Sequence, residues 1–188
     1  MKDNGVVCML AWNHMAVSMK NVARPCCRFT VGNDEDHIEE DAMKPFDDKY
    51  RWLRKNMLEG KKSKECSLCY SEGNESMRWA ANNIHFKLEQ VELTEEFDKL
   101  RSIELSLDNL CNLQCKMCDS LFSSKLYYRD DFLLNEKGMR GRQPTTIPKQ
   151  RIEYLKSLNV DWQHLTKIKI LGGEPFFSPN FPKLIDWL

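Results

Sequence analysis

The stretch Cys111-Asn112-Leu113-Gln114-Cys115-Lys116-Met117-Cys118 constrains this chain most. It sets three thiols at the spacing C-x3-C-x2-C directly behind an alternating apolar segment. That segment, Ile103-Glu104-Leu105-Ser106-Leu107-Asp108, has the period-2 pattern of a strand, with Ile103, Leu105 and Leu107 facing inward. The thiols then fall on the loop at the strand's C-terminal end, where strand–helix folds carry their chemistry. Compact cysteine runs within one loop are a usual mark of iron–sulfur ligation. Three ligands from one loop leave the fourth iron of a [4Fe–4S] cube open to a small molecule. A helical alternative must be weighed, because positions i, i+4 and i+7 share one helix face and Cys packs well as a small buried hydrophobe. Asp108, Asn109 and Asn112 weigh against it, since their side chains compete for backbone hydrogen bonds and favour turns.

A second anchor follows downstream. Lys167-Ile168-Lys169-Ile170-Leu171 reads as a strand ending in Gly172-Gly173-Glu174-Pro175. Paired glycines let a backbone approach a ligand closely, and Glu174 offers a carboxylate to an ammonium group. Alone, this segment would serve as an ordinary turn. Together with the cysteine loop it resembles the radical S-adenosylmethionine (SAM) superfamily, whose signature is C-x3-C-x2-C after the first barrel strand and GGE after the second. The resemblance implies that Cys111, Cys115 and Cys118 hold a [4Fe–4S] cluster and that SAM chelates the open iron. It further implies that Gly172, Gly173 and Glu174 receive the methionine end, with Glu174 pairing with the α-ammonium. The implied activity is reductive cleavage of SAM to a 5′-deoxyadenosyl radical that takes hydrogen from a substrate. The cofactor supplies the radical chemistry; the protein binds, orients and shields.

The other five cysteines are Cys8, Cys26, Cys27, Cys66 and Cys69. Two hairpin-like points and one C-x2-C pair can close around a metal, and a structural zinc suits such a set as well as a cluster does. The order C-x3-W from Cys8 to Trp12, then Pro25-Cys26-Cys27, then Cys66-x2-Cys69 resembles the auxiliary-cluster modules called SPASM and twitch. Glu72, Gly73, Ser76 and Arg78 extend that likeness as C-x2-C-x2-E-G-x2-S-x-R. Here the module precedes the radical SAM segment, which resembles radical SAM proteins with an N-terminal twitch domain. The resemblance implies an auxiliary iron–sulfur cluster, with zinc as the alternative. One of Cys26 and Cys27 is the fourth ligand and the other a spare, and the spacing leaves open which.

With 28 basic and 28 acidic residues, no general attraction to nucleic acid or membrane is expected. The apolar run from Val6 to Trp12 is short and follows Asp3, unlike a secretory leader. No stretch nears the roughly 20 apolar residues of a membrane span. A cytoplasmic chain is therefore expected, and its eight cysteines point away from disulfides. The expected fold is α/β. Residues 1–100 form a small α+β cysteine-rich twitch/SPASM-like domain, and residues 101–188 give the first two β/α units of a (β/α)6-type barrel with a right-handed crossover. Such a barrel continues to about six units by that resemblance, so the chain reads as its opening part, inactive without the rest.

Locally, a hairpin with arms at Trp12–Val17 and Arg28–Val31 is expected, then a helix over Asp47–Glu59 capped by Gly60. Further helices are expected at Ser76–Phe86, Thr94–Leu100, Ser120–Leu134, from Pro148, and at Phe181–Leu188. Asp34 to Asp41 and Lys137 to Arg142 read as solvated segments. Trp52, Trp79, Trp162 and Trp187 read as packing residues, and Phe176 and Phe177, which follow Gly-Gly-Glu-Pro, as core, with lining of the SAM pocket as the alternative. His14, near Cys8 in sequence, reads as a possible neighbour of the metal set; His37, His85 and His164 read as surface or core histidines. Expected partners are SAM, a reducing electron donor and a peptide or protein substrate, as in the SPASM/twitch relatives. Two other classes stay open: a non-catalytic iron–sulfur electron carrier, which needs no Gly-Gly-Glu, and a zinc-stabilised interaction module, which leaves the three-cysteine loop without purpose.

Overall fold

A computed structural model describes residues 3–18, 23–30, 46–88, 92–96, 99–118, 122–127 and 160–188. The expectations for Val31, Asp34 to Asp41, Lys137 to Arg142 and the helix from Pro148 lie outside the described residues. The fold is mixed α/β with a small four-stranded mixed sheet of order β2-β1-β3-β4. Its strands are β1 (His14–Val17), β2 (Ala23–Arg24), β3 (Ser102–Ser106) and β4 (Lys167–Leu171). The chain divides into two compact units, one from Met1–Val17, Asn21–Glu104 and Asn159–Ile168, the other from Ser18–Lys20, Leu105–Leu158 and Lys169–Leu188.

In the first unit, β1 pairs antiparallel with β2, with Ala16 opposite Arg24 and Val17 opposite Ala23. This corrects the expected hairpin. Trp12 lies in a helical turn, α1 (Leu10–Asn13), and residues 26–29 form a turn closed by Phe29 N–H to Cys26 O at 3.2 Å. Pro25 explains the early end of β2, because it has no N–H to continue a ladder. Helix α2 (Phe46–Leu58) buries Tyr50, Leu53 and Met57 as the periodicity predicts. It stops where Gly60 takes a left-handed φ of 72°. Trp52 stays exposed on the far side, against expectation. The core of this unit gathers Val7, Met9, Trp12, Met15, Leu53 and Met57.

Two expected helices differ. Ser76 caps α4 (Met77–Ala80), accepting the Trp79 N–H at 3.1 Å, but the next turn, Ala81–His85, is a π-helix. That wider turn rotates the following residues, so Ile84 is 58% exposed instead of joining the core. Thr94 starts no helix: residues 95–96 bend, and residues 97–98 lie outside the described set. Long-range donors take the backbone carbonyls there, Trp12 Nε1 on Thr94 O and Arg54 Nε on Glu95 O, each at 2.6 Å. Leu100 instead bridges Val160 in parallel.

Strands β3 and β4 run in the same direction, since Thr166 N–H meets Arg101 O at 2.7 Å and Leu107 N–H meets Leu171 O at 2.8 Å. Ile103, Leu105 and Leu107 are buried as expected, but so are Ser102 and Glu104. Both faces of this strand are therefore covered, which a period-2 pattern does not reveal. The second unit also holds the short helices α5 (Ser124–Tyr127), the described part of the helix expected at Ser120–Leu134, and α6 (Phe181–Ile185).

Candidate metal and cofactor sites

In the second unit, the cysteine loop and the Gly-Gly-Glu segment are bound backbone to backbone. Gly173 donates its N–H to Asp108 O at 2.9 Å, and Glu174 donates to Leu110 O at 2.8 Å. A Cβ on Gly172 would stand 2.8 Å from Asp108 O, and one on Gly173 would stand 2.7 Å from Asn109 O. The glycines therefore serve the contact between these two segments, a role that ligand approach alone does not explain. Asp108, 2% exposed, accepts the Leu110 N–H at 3.1 Å and the Ser178 hydroxyl. The start of the cysteine loop is thus tied to the segment that follows Gly-Gly-Glu-Pro.

Residues 111–118 carry no helix, which removes the helical alternative for the thiols. Cys111 is buried; its N–H reaches Ser124 Oγ at 3.0 Å, and its Sγ accepts the Leu113 N–H at 3.3 Å. Cys115 is exposed and Cys118 half-buried, with Cys118 N–H closing a turn on Cys115 O at 3.1 Å. The Glu174 carboxylate is half-buried and accepts the Phe176 N–H at 3.3 Å, capping the 3-10 turn Pro175–Phe177. Phe176 and Phe177 are 82% and 52% exposed, which overturns the core reading; Phe176 meets Phe181 in a tilted ring pair with centroids 4.8 Å apart. No three His, Cys, Asp or Glu side chains among the described residues stand close enough to form a metal-holding group.

In the first unit, Cys8, Cys26, Cys66 and Cys69 line one pocket with Tyr70 and Arg78, and Cys27 is not among its lining residues. Cys27 is exposed, with Sγ 3.8 Å from Met77 Sδ. The four thiols come from three segments: the turn before α1, the turn after β2, and the 3-10 turn Lys64–Cys66 running into α3 (Ser67–Glu72). Polar clamps join these segments. Arg28 beside Cys27 pairs with Glu72, Arg78 Nη1 pairs with Asp3 at 2.8 Å, and Thr30 N–H meets Glu65 O at 3.2 Å. Asn82 accepts the Met9 N–H at 2.9 Å and donates to Val7 O at 2.7 Å, holding both sides of Cys8.

Burial, reinforced by the neighbouring Cys26, pushes the Cys8 thiol well up from its ordinary value. Burial pushes Cys26 up to about 11 and Cys66 up to about 12, the latter helped by Cys26 and Cys69. Separate Cys8, Cys26 and Cys66 thiolates are thus costly in this apolar pocket, and a bound cationic centre is what would hold them deprotonated. Four thiols lining one pocket are the donor chemistry of a four-thiolate cluster or zinc, although as placed they form no metal-holding group.

Tyr70, Asn82, Asp108 and Ser178 carry site geometry without any motif to announce them. His14 is buried against Ser102 Oγ, its Nδ1 at 2.9 Å, and does not line the cysteine pocket. His164 is exposed beside Asp161, and Trp162 is exposed as well, contrary to a packing role. None of the eight cysteines is in a disulfide. No helix among the described residues is long and apolar enough to cross a membrane. The chain matches no protein-family model, no curated protein and no solved structure.

Proposed function

We propose that the chain belongs to a radical SAM enzyme with an auxiliary iron–sulfur cluster. The observation that carries this reading is the direct bonding of Gly173 and Glu174 to Asp108 and Leu110 at the root of the three-cysteine loop. Two motifs far apart in sequence meet at the C-terminal ends of neighbouring parallel strands, where a small molecule could touch both. In this reading β3 and β4 open a (β/α)6-type barrel within residues 101–188. Residues 1–100 form a twitch/SPASM-like domain holding a second cluster.

When bound, a reduced cluster and SAM would supply radical chemistry for taking hydrogen from a substrate. The residues of the chain have narrower tasks. Cys111, Cys115 and Cys118 would hold the catalytic cluster, Gly172 and Gly173, packed on residues 108–110, set the backbone that would receive the methionine end, and Glu174 would present its carboxylate to the ammonium. Cys8, Cys26, Cys66 and Cys69 hold the auxiliary centre, and Cys27 is the spare. The substrate is a peptide or protein, and a low-potential donor supplies electrons.

Anaerobic reconstitution tests this. Two cubes predict about eight iron and eight sulfide per chain. Replacing Cys111, Cys115 and Cys118 with Ala should remove one cluster and every SAM-dependent change in the electron paramagnetic resonance spectrum, whereas replacing Cys66 and Cys69 should remove only the other. Four iron plus one zinc would remove the auxiliary cluster and leave the enzyme reading standing. Two clusters with no response to SAM would leave an electron carrier.

A further inference from the structure

Two donors in the first unit's cysteine pocket make no well-aligned hydrogen bond. The Tyr70 hydroxyl and Arg78 Nε are both fully buried; the hydroxyl approaches Cys66 and the Ser63 backbone without a well-aligned hydrogen bond, and Arg78 Nε meets no partner among the described residues. Arg78 is 9% exposed overall. Its Nη1 is occupied by Asp3 Oδ2 at 2.8 Å and Val7 O at 3.2 Å, so the guanidinium is held in place while its Nε stays unused. Buried polar groups without partners are rare in folded proteins, and each forfeits its hydration.

Both side chains line the pocket that Cys8, Cys26, Cys66 and Cys69 share, among apolar neighbours such as Phe29, Leu53 and Met57. A neutral thiol is a weak acceptor. Ionised acceptors make roughly twice as strong a bond, so metal-bound thiolate and sulfide sulfurs would satisfy donors that a protonated pocket does not.

Resting on the two-cluster reading above, we propose that the Tyr70 hydroxyl and Arg78 Nε donate hydrogen bonds to the sulfurs of the auxiliary centre and set its reduction potential. Reduction brings one electron from a low-potential one-electron donor and no proton, so the centre becomes more negative. Donors aimed at sulfur stabilise that state more than the oxidised one and raise the potential. The two side chains are positioning residues for electron transfer and touch no substrate.

The test uses the full chain with Cys111, Cys115 and Cys118 replaced by Ala, so that only the auxiliary centre remains. Tyr70→Phe deletes the hydroxyl and keeps the ring; Arg78→Lys keeps a charge for Asp3 and has no Nε. Each is reconstituted without oxygen, assayed for iron and sulfide, and titrated with dithionite while its spectrum is followed. Each variant should keep about four iron, and its ratio of reduced to oxidised centre at a fixed potential should fall about tenfold. If Arg78→Lys fails to load, Tyr70→Phe alone decides. An unchanged potential with full iron overturns the proposal and spares the cluster reading. A parent chain that takes up zinc and no iron overturns both.

Discussion

Gly173→Ala places a methyl where the fold has no room. An ideal Cβ at Gly173 lies 2.7 Å from Asn109 O and 2.7 Å from the Leu110 carbonyl carbon, closer than real Cβ atoms approach. These neighbours are backbone, so they cannot swing aside as a side-chain tip would. Gly173 is not among the glycines with positive φ, so the penalty is contact and not conformation. Relief requires the segment to lift away from residues 108–110, breaking the bonds from Gly173 to Asp108 and from Glu174 to Leu110. Two backbone hydrogen bonds at about 1 kcal/mol each, plus about 1–3 kcal/mol of overpacking, give a loss of about 3–5 kcal/mol. Against a typical stability of about 5–15 kcal/mol, that is a large fraction. Urea unfolding of the metal-free chain measures it directly. As a contrast, Gly73 has φ 59° with nothing within 4 Å of its would-be Cβ. Gly73→Ala should therefore cost only the positive-φ backbone, which at ψ −123° suits glycine alone, about 1–3 kcal/mol. A Gly173→Ala midpoint equal to that of the parent would refute the claim that this glycine exists for backbone contact.

Three further outcomes are expected. Glu174→Gln keeps an oxygen for the Phe176 N–H and so preserves the turn, but loss of the charge should weaken SAM binding to the reduced cluster by about ten- to a hundred-fold, read by titration. Cys27→Ser should leave iron content unchanged and Cys26→Ser should lower it, because only Cys26 lines the pocket; equal losses would count against that ligand choice. Metal-free stability should fall in alkali. Cys26 and Cys66 are raised from 9.0 to about 11 and about 12. The folded chain therefore keeps protons that the unfolded chain releases, and the stabilisation is complete below about pH 9 and lost as pH rises towards about 12. Urea midpoints measured across that window check it, and a flat profile would mean that the thiols are hydrated.

Much of the local architecture was legible because it depends on neighbours in sequence. The strand expected at residues 167–171 forms over Lys167–Leu171, and the helix expected at Asp47–Glu59 forms over Phe46–Leu58. Alternation, a 3.6-residue stripe and a glycine stop are short-range patterns that survive folding. The failures share one cause. Thr94 looked like a cap until Trp12 and Arg54 took the carbonyls beside it, and Ile84 looked inward until a π-turn rotated it. Phe176 and Phe177 look like core by composition but stand on an exposed 3-10 turn.

The amino-acid order by itself determined which residues can do chemistry: two cysteine sets, a Gly-Gly-Glu segment and the strand ends that carry them, because side-chain type and spacing are local properties. Tertiary structure decided how they are used. It separated Cys26 from its neighbour Cys27, since the turn aims consecutive side chains differently and only one lines the pocket. It also showed that Gly172 and Gly173 yield space to Asp108 and Leu110, residues more than sixty positions earlier. And it left the Tyr70 hydroxyl and Arg78 Nε buried without a well-aligned acceptor. Such facts concern atoms that only folding brings together, and whether a buried donor finds its partner depends on long-range packing that no local pattern encodes.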